Sequence, residues 1–382
     1  MNKIVFVLIA FFISLETSLN YGVKQSCNPA ATGVSNVSDK PQARKTKVSI
    51  VGNQFIINGE PTFKGRFWNG YKIEGLLPNS RMVQGIFDDE NPLTVNSFAY
   101  SDTKVWDAER NTDEFVAAMP LWAAHGLLSF TVNMQGGSPL GYGNQGWINT
   151  AFDYSGNLKP SYMARLEKIF DKADELGMVP ILGLFYFGQD EHLKDEEAVI
   201  NAVKNTVNWI HGKGYENILI EIANECDVDA YDHSIIKPDR AHELINLVKQ
   251  MGDKHNRLLV STSFRGDVVP APNVIRAADY ILFHGNGVEK PERIVEIVDS
   301  IRSSPEYSSK PIVNNEDDHY DFDQPMNNFI AATSAYASWG YFDYRRKGEA
   351  FEEGFQSIPV DWGINSERKK GFFQLVKQIT GY

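Results

Sequence analysis

The stretch Ile218-Leu219-Ile220-Glu221-Ile222-Ala223-Asn224-Glu225 is a run of mostly apolar residues that ends on an amide and a carboxylate. Branched apolar side chains in succession are typical of a β-strand that is covered on both faces. Packing gives no reason for a polar pair at the end of such a strand. A second stretch of the same form, Pro311-Ile312-Val313-Asn314-Asn315-Glu316, follows later in the chain. In a (β/α)8 barrel the carboxyl ends of the strands carry the catalytic residues, so both stretches are candidates for an active site.

Strand and helix patterns alternate along the rest of the chain. Strands are predicted at residues 63–68, 127–133, 179–187, 217–225, 258–263, 280–284, 311–316 and 340–344. Helices are predicted at residues 113–125, 160–176, 195–211, 239–255, 291–303, 327–337 and 367–379. Eight strands separated by helices predict an α/β protein with a single (β/α)8 (TIM) barrel, rather than an open doubly wound sheet. The catalytic barrel domain is predicted to span residues 47–382.

Two features stand outside the regular alternation. Short apolar runs flank Gly52-Asn53, which predicts an N-terminal β-hairpin that plugs the bottom of the barrel. The segment from Asn69 to Thr112 predicts a long first βα loop that folds over the barrel mouth as part of a binding wall. A long first loop often closes a cleft into a pocket, which favours exo action or short oligosaccharides as substrates.

The N-terminus is predicted to direct export. Lys3 precedes an apolar run from Ile4 to Leu15, which is too short to span a bilayer but suits a signal peptide over residues 1–20. Residues 21–46 are polar and predict a disordered leader. The sequence therefore predicts a secreted or periplasmic protein. The only membrane contact that it leaves open is a lipid anchor at Cys27.

The composition excludes several classes of partner. The 382 residues are 42% apolar and 23% charged, as in soluble globular proteins. A net charge of -12 without a basic stripe argues against nucleic acid and anionic membranes as partners. Two cysteines provide no zinc framework, and no cofactor is predicted. The aromatic content of 12% fits a large core and also the stacking platforms of a carbohydrate site.

Glu225 and Glu316 have the residue type and the placement that cleavage of a glycosidic bond requires. One carboxylic acid must protonate the departing oxygen, and one carboxylate must act at the anomeric carbon as nucleophile or base. The environment of each carboxyl group decides which of them stays protonated. Strands four and seven of an eight-stranded barrel lie across its mouth, so the two side chains are expected to face one substrate.

The stretch from Ile218 to Glu225 resembles the fourth-strand signature of family 5 glycoside hydrolases, the cellulase and mannanase group of clan A. That signature is three apolar residues, an acidic or amide residue, an aliphatic residue, any residue, and then Asn-Glu. The resemblance implies that Glu225 is the acid/base, that Glu316 is the nucleophile of a retaining mechanism, and that Asn224 contacts a substrate hydroxyl.

The resemblance covers the barrel plan and two strands, not the whole pocket. Cys226 stands where the family usually has proline, and Phe283-His284-Gly285-Asn286-Gly287 replaces the family's His-x-Tyr on strand six. The family's arginine near the end of strand two is not visible in Phe130-Thr131-Val132-Asn133-Met134. These departures predict a separate clan-A family with its own substrate.

Further residues near the predicted strand ends are candidates for substrate contacts. Arg66 is predicted to pair with Glu316 and keep it ionised. His284 is predicted to orient Glu316 or to touch a sugar hydroxyl, and a satisfied core histidine is the other interpretation. Glu221 is predicted to be structural. Sugar platforms are predicted at Trp68, Tyr186, Trp339 and Tyr344.

Together these features predict an exported retaining glycosidase that acts on an oligo- or polysaccharide. One alternative is a metal-assisted hydrolase that uses Asp317-Asp318-His319, although the spacing matches no calcium loop and no metal is predicted. The other is a barrel that binds carbohydrate without cleaving it. Gly141 to Gly146 fits G-x-G-x-x-G, but no strand directly precedes it and no helix follows, so it does not predict a dinucleotide site.

Overall fold

A computed structural model describes residues 44–141, 146–252 and 256–382. The predicted signal peptide, Cys27 and the predicted leader up to residue 43 lie outside the described residues, as do residues 142–145 of the glycine-rich motif. No helix within the described ranges is long and apolar enough to cross a membrane.

An N-terminal antiparallel segment precedes the barrel. Its strands are β1 (Val48–Val51), β2 (Gln54–Ile57), β3 (Glu60–Pro61), β4 (Phe67–Trp68) and β5 (Tyr71–Lys72). The first three strands form one sheet, and β4 pairs with β5 in a separate ribbon. The predicted hairpin is therefore present, with Gly52-Asn53 as the turn between β1 and β2.

Eight parallel strands follow, separated by helices. They are β6 (Asn79–Arg81), β7 (Ser129–Asn133), β8 (Val179–Phe185), β9 (Leu219–Ala223), β10 (Leu259–Ser261), β11 (Ile281–His284), β12 (Ile312–Glu316) and β13 (Gly340–Tyr341). Six of them form a sheet in the order β10-β9-β8-β7-β6-β13, and β11 pairs with β12. Parallel bridges from Gly266 to His284 and from Asp317 to Tyr341 join the two groups into a ring. The predicted (β/α)8 fold is confirmed.

The helices surround this ring. They are α1 (Ala108–Ala124), α2 (Pro160–Leu176), α3 (Glu196–Lys213), α4 (Ala241–Gln250), α5 (Pro272–Ala277), α6 (Pro291–Ser303), α7 (Asn328–Ser334) and α8 (Glu367–Thr380), with 3-10 helices at Val95–Phe98, Asp190–His192 and Ser234–Ile236. The predicted bounds of α2 and α6 agree with the structure to the residue. The short helix α5 was not predicted.

The predicted first strand at residues 63–68 is wrong. This segment ends in the β4–β5 ribbon, and β4 packs against α8 outside the ring. The first barrel strand is β6, whose sequence Asn79-Ser80-Arg81 contains no apolar residue and therefore gives no strand periodicity. The first βα loop accordingly runs over residues 82–107, a shorter span than predicted.

The apolar core has two parts. A small cluster fills the lower half of the barrel and includes the hairpin residues, which shows that the hairpin closes the bottom. Its buried members are Val48, Phe55, Leu77, Val179, Ile181, Leu219, Tyr280, Leu282 and Val313. A larger cluster contains the outward-facing strand residues and the helix faces that cover them. The end of the barrel at which the carboxyl ends of the strands lie is called the mouth. The side chains there are mostly polar.

A buried carboxylate joins two of the loops at the mouth. Asp190 lies after β8, and its Oδ2 accepts the backbone N–H groups of Asp232 (2.9 Å) and His233 (3.1 Å), which follow β9. Its Oδ1 has no hydrogen-bond partner within the described residues. Burial raises the pKa of Asp190 to about 6. The two backbone hydrogen bonds and the nearby His233 oppose this rise.

Replacing Asp190 with asparagine is expected to stabilise the fold near neutral pH. The amide Oδ1 keeps the two backbone bonds, whereas the burial of a charge is removed. A carboxyl group with a raised folded-state pKa costs stability as pH rises between about 3.8 and about 6. The variant should therefore gain about 1–3 kcal/mol in unfolding free energy above pH 6. Urea unfolding at pH 7.5 and pH 4 measures this, and an equal gain at both values would contradict it.

Candidate active site

Glu225 follows β9 by two residues and lies where the strand turns out of the barrel. Its backbone has a φ of 49°, in the left-handed region that non-glycine residues rarely adopt. The turn is held because the Glu225 N–H donates to Ser263 Oγ at 2.9 Å and the Asn224 N–H donates to the Phe185 carbonyl oxygen at 3.0 Å. Backbone conformations of this kind cost about 1–3 kcal/mol and are concentrated at functional sites.

Glu316 is the last residue of β12 and is almost completely buried. Its Oε1 accepts a hydrogen bond of 2.6 Å from Asn286 Nδ2, which lies two residues beyond the end of β11. Its Oε2 lies 2.5 Å from Arg81 Nε in a buried ion pair. Asn286 occupies the place of the tyrosine in the family's His-x-Tyr pattern, so a neutral amide donates to this carboxylate.

Arg81, the last residue of β6, is the centre of the charge network. Besides Glu316, it contacts Asn224 through a 2.5 Å bond from Nη2 to Oδ1, and its Nη1 lies 3.8 Å from Glu221 Oε2. Its side chain is only 2% exposed, so the cation is confined between these groups. Sequence reasoning missed Arg81 because β6 was not recognised. The sequence did contain one signal: Arg81 is followed directly by the apolar pair Met82-Val83, which indicates a buried position. A buried guanidinium requires a carboxylate partner, so Arg81 could have been proposed as the partner of a glutamate.

His284 connects the two glutamates. Its Nδ1 lies 3.0 Å from Glu225 Oε1 and 3.7 Å from Glu316 Oε2, and the imidazole is fully buried. Burial lowers the pKa of His284 despite the nearby Glu316, so the ring is neutral near pH 7. In the tautomer with the proton on Nδ1, it donates to Glu225. Of the two interpretations of His284 from sequence, the structure favours the site residue.

The two glutamates are close together and differ in their electrostatic environment. One ligand oxygen from each carboxyl group and Nδ1 of His284 all lie within 4.8 Å of one another. Burial raises the pKa of Glu225 to about 7, although Arg81 opposes the rise. Burial also raises the pKa of Glu316, and the Arg81 guanidinium opposes this rise. Only Glu316 has a guanidinium in contact, so Arg81 favours the ionised form of Glu316 more directly than that of Glu225.

Glu221 lies one layer deeper in the barrel. It is fully buried, and both carboxylate oxygens are 3.4 Å from Asn315 Nδ2. Arg81 lies on its other side at 3.8 Å. These contacts place Glu221 beneath the Glu225–Glu316 pair, as a support for Arg81.

Two of the predicted aromatic platforms lie at the mouth. Tyr186 follows β8, its hydroxyl is 2.7 Å from Ser138 Oγ, and its ring stacks on Phe187 with centroids 4.3 Å apart. Tyr344 follows β13 and is half-buried, and the guanidinium of Arg346 lies 5.9 Å from its ring centroid. The role of either ring in binding a sugar stays a prediction.

The predicted pairing of Arg66 with Glu316 is wrong. Arg66 Nε and Nη2 donate to the carbonyl oxygens of Ile379 and Gln378 at the C-terminal end of α8. Helices of a βα barrel run antiparallel to the strands, so this end of α8 is at the bottom of the barrel, away from the mouth. The prediction for Trp68 fails for the same reason, since it belongs to the ribbon that packs against α8.

Trp339 is wrong as a sugar platform. Its ring is fully buried between the strands and the helices, and it stacks on Phe329 with centroids 4.9 Å apart. Its indole N–H donates to Asp317 Oδ2 at 2.9 Å. No face of the ring is exposed for a sugar because the residue lies on the outward face of its strand.

Two groups of side chains have donor atoms close enough for a metal ion. In Asp317-Asp318-His319, the oxygens of buried Asp317 already accept bonds from Trp339, Asn328, Asn314 and His319. In Glu225-His284-Glu316, the Arg81 guanidinium already provides a cation beside the carboxylates. The Asp317 oxygens are occupied by protein donors, and a guanidinium stands beside the second group, which disfavours a metal ion at either one.

Comparisons with solved structures give the same fold. The endo-1,4-beta-mannanase from Rhizomucor miehei matches with a TM-score of 0.55 and 12% identity, over 88% of this chain and 99% of that one. The family 5 mannosidase from Rhizomucor miehei matches with a TM-score of 0.52 and 12% identity, over 87% and 97%. The beta-mannanase from the blue mussel Mytilus edulis matches with a TM-score of 0.52 and 10% identity, over 88% and 97%.

The chain shares the fold of these glycoside hydrolases. No family model and no curated protein matches the sequence. The predicted resemblance to family 5 is confirmed at the level of the fold, and the low identity fits a separate family.

Proposed function

We propose that this protein is a retaining glycoside hydrolase that cleaves O-glycosidic bonds of an oligo- or polysaccharide. The observation that carries the proposal is the pair Glu225 and Glu316 at the mouth, where one carboxylate oxygen of each residue lies within 4.8 Å of one oxygen of the other. Retaining enzymes place their carboxyl groups about 5–5.5 Å apart, whereas inverting enzymes leave about 6.5–9.5 Å for a water molecule. The spacing therefore supports the double-displacement mechanism.

In the first step, Glu316 attacks the anomeric carbon and the C–O bond to the leaving group breaks. Glu225 transfers its proton to the departing oxygen, which leaves as an alcohol, and a covalent glycosyl-enzyme forms. In the second step, the ionised Glu225 takes a proton from water, which attacks the same carbon. Glu316 then leaves as a carboxylate, and the product retains its anomeric configuration.

The surrounding residues support this division of roles. The Arg81 guanidinium and the Asn286 amide hold Glu316 as a carboxylate aimed at the mouth. Asn224 is fixed by Arg81 through its Oδ1, which leaves its amide N–H groups to donate to a sugar hydroxyl. The apolar run from Ile4 to Leu15 supports export, so the substrate is proposed to be extracellular or periplasmic carbohydrate.

The test is product release from a panel of aryl glycosides, oligosaccharides and polysaccharides. β-Mannosidic substrates come first, because the solved neighbours include mannanases and a mannosidase. Glu316→Ala serves as the inactive variant. Glu216→Ala is a matched control, since Glu216 precedes the same strand as Glu225 but pairs with Lys47 at the barrel bottom. Equal product from wild type and Glu316→Ala would refute the mechanism, and loss of activity in EDTA would favour the metal-dependent alternative.

The pH dependence of kcat/KM is expected to report the proton on Glu225. The acid must be protonated in the free enzyme, and burial raises its pKa to about 7. Activity should therefore fall as pH rises through about 7. A profile on an aryl glycoside with a poor leaving group measures this limb. The limb should disappear in Glu225→Ala, and its persistence there would assign it to another group.

A further inference from the structure

The loops around the mouth are unequal in length, and the two sides of the mouth are named here by that length: the long loops form the high side and the short loops form the low side. The loops after β13, β6 and β7 span residues 342–366, 82–107 and 134–159. These three strands are neighbours in the ring. On the opposite side, the loops after β10 and β11 span only residues 262–271 and 285–290. The described parts of the three long loops are called the wall below.

The wall is held together by hydrogen bonds between its loops. Gln84 Nε2 donates to the Gly137 carbonyl oxygen at 2.6 Å, which joins the first loop to the second. The Ile358 N–H donates to the Pro139 carbonyl oxygen at 2.8 Å, which joins the last loop to the second. These contacts bring the loops after β13 and β7 together beside the end of β6, where Arg81 lies. The wall is therefore continuous along one side of the mouth.

The wall also reaches the reacting centre. Ser138 in the second loop shares a 2.7 Å hydrogen bond with the Tyr186 hydroxyl. Tyr186 follows β8, which pairs with β9, the strand that leads to Glu225. Gly141 packs against the ring of Tyr344, where a Cβ would lie 3.0 Å from a ring carbon. The closed side thus begins directly beside the Glu225–Glu316 pair.

Glu225 lies beside this low side, at the start of the loop after β9, which spans residues 224–240. The Glu225 N–H is bound to Ser263 after β10, and Asp227 pairs with Arg265 at 3.1 Å on the same rim. The Arg265 side chain is 57% exposed, so this ion pair faces solvent beside the acid. In the proposed mechanism the acid stands next to the leaving group. The leaving group therefore points to the low side, and the far end of the attacked sugar points to the wall.

We infer that the site takes the non-reducing end of a carbohydrate chain and releases sugar from that end. The inference rests on the proposed function and adds the mode of action. The wall blocks extension of the chain beyond the attacked sugar, whereas the low rim accommodates a leaving group of any length. Asp227 and Arg265 offer an acceptor and donors to the hydroxyl groups of the first leaving sugar.

The test compares matched oligosaccharides whose terminal non-reducing sugar is free or carries a 4,6-O-benzylidene group. The free member should be hydrolysed, and the blocked member should show kcat/KM lower by about 100-fold or more because the wall excludes the added ring. On a polymer, small sugars should accumulate while viscosity falls slowly. Equal hydrolysis of both members would overturn this inference alone. No hydrolysis of either would overturn the proposed function and this inference with it.

Two variants sharpen the comparison. Tyr344→Gly removes the ring that packs beside Gly141 in the wall. It should raise the ratio of kcat/KM for the blocked oligosaccharide to kcat/KM for the free one by about 10-fold. Arg265→Ala alters the low rim and should raise KM for oligosaccharide leaving groups while leaving the blocked-to-free ratio unchanged. If the blocked-to-free ratio rose in Arg265→Ala but not in Tyr344→Gly, the closed side would lie at Arg265 and not at the wall, which would contradict the inference. The wild-type comparison decides the inference even if Tyr344→Gly fails to fold.

Discussion

Glu316→Ala is expected to lower kcat by at least ~10⁴-fold on every substrate, because it removes the carboxylate that is proposed to form the glycosyl-enzyme. Glu225→Ala is expected to behave differently. It should lose about 10²–10⁴-fold on substrates with poor leaving groups, which need protonation, and much less on dinitrophenyl glycosides, which do not. The contrast follows from the positions of the two groups, since Arg81 contacts Glu316 and no guanidinium contacts Glu225.

Azide distinguishes the two variants further. In Glu225→Ala, a glycosyl-enzyme formed from a dinitrophenyl glycoside should be trapped by azide as a product of retained configuration. In Glu316→Ala, azide can act only in place of the nucleophile and gives the inverted product. Product configuration by NMR is the measurement, with Glu216→Ala as the carboxylate control. Rescue with inversion in Glu225→Ala would exchange the proposed roles.

Arg81→Met is expected to lower kcat/KM by about 10²–10³-fold, the usual effect of removing a preorganised charged donor. It leaves Glu316 and Glu221 buried without a cation, which should also reduce unfolding free energy by about 3–5 kcal/mol. The pKa of Glu316 should rise further without the guanidinium, so the acidic limb of kcat/KM should move to higher pH. Steady-state kinetics over pH and urea unfolding measure both effects.

Arg66→Met is the matched control for this prediction. Arg66 caps the carbonyl groups at the end of α8 on the bottom face, so its loss should leave the kinetic constants and the pH profile unchanged. Arg81→Lys keeps the positive charge but cannot donate to Asn224 and Glu316 with one planar group. It should fall between wild type and Arg81→Met. Full activity in Arg81→Met would remove the guanidinium from the mechanism.

Most of the barrel could be predicted because its signals are local. The strands that contain Ile220 and Val313 are runs of branched apolar residues, and amphipathic helices separate them. Strand β6 could not be predicted in this way. Asn79 and Arg81 are polar because they face the interior of the barrel at the level of the buried charges, and Ser80, on the opposite face of the strand, is also a small polar residue. The false first strand followed from the Phe67-Trp68 strand of the ribbon, whose aromatic residues have the composition of a barrel strand.

The sequence by itself determined the fold class and the candidate glutamates, because apolar periodicity and a polar residue at a strand end are properties of short segments. Only the tertiary structure decided which cation serves Glu316, since Arg81 and Glu316 meet across the ring from distant parts of the chain. It also decided that Trp339 faces the helices and that Arg66 and Trp68 lie away from the mouth. Pairing of charges and the outward or inward direction of a ring depend on ring closure, which no local pattern encodes.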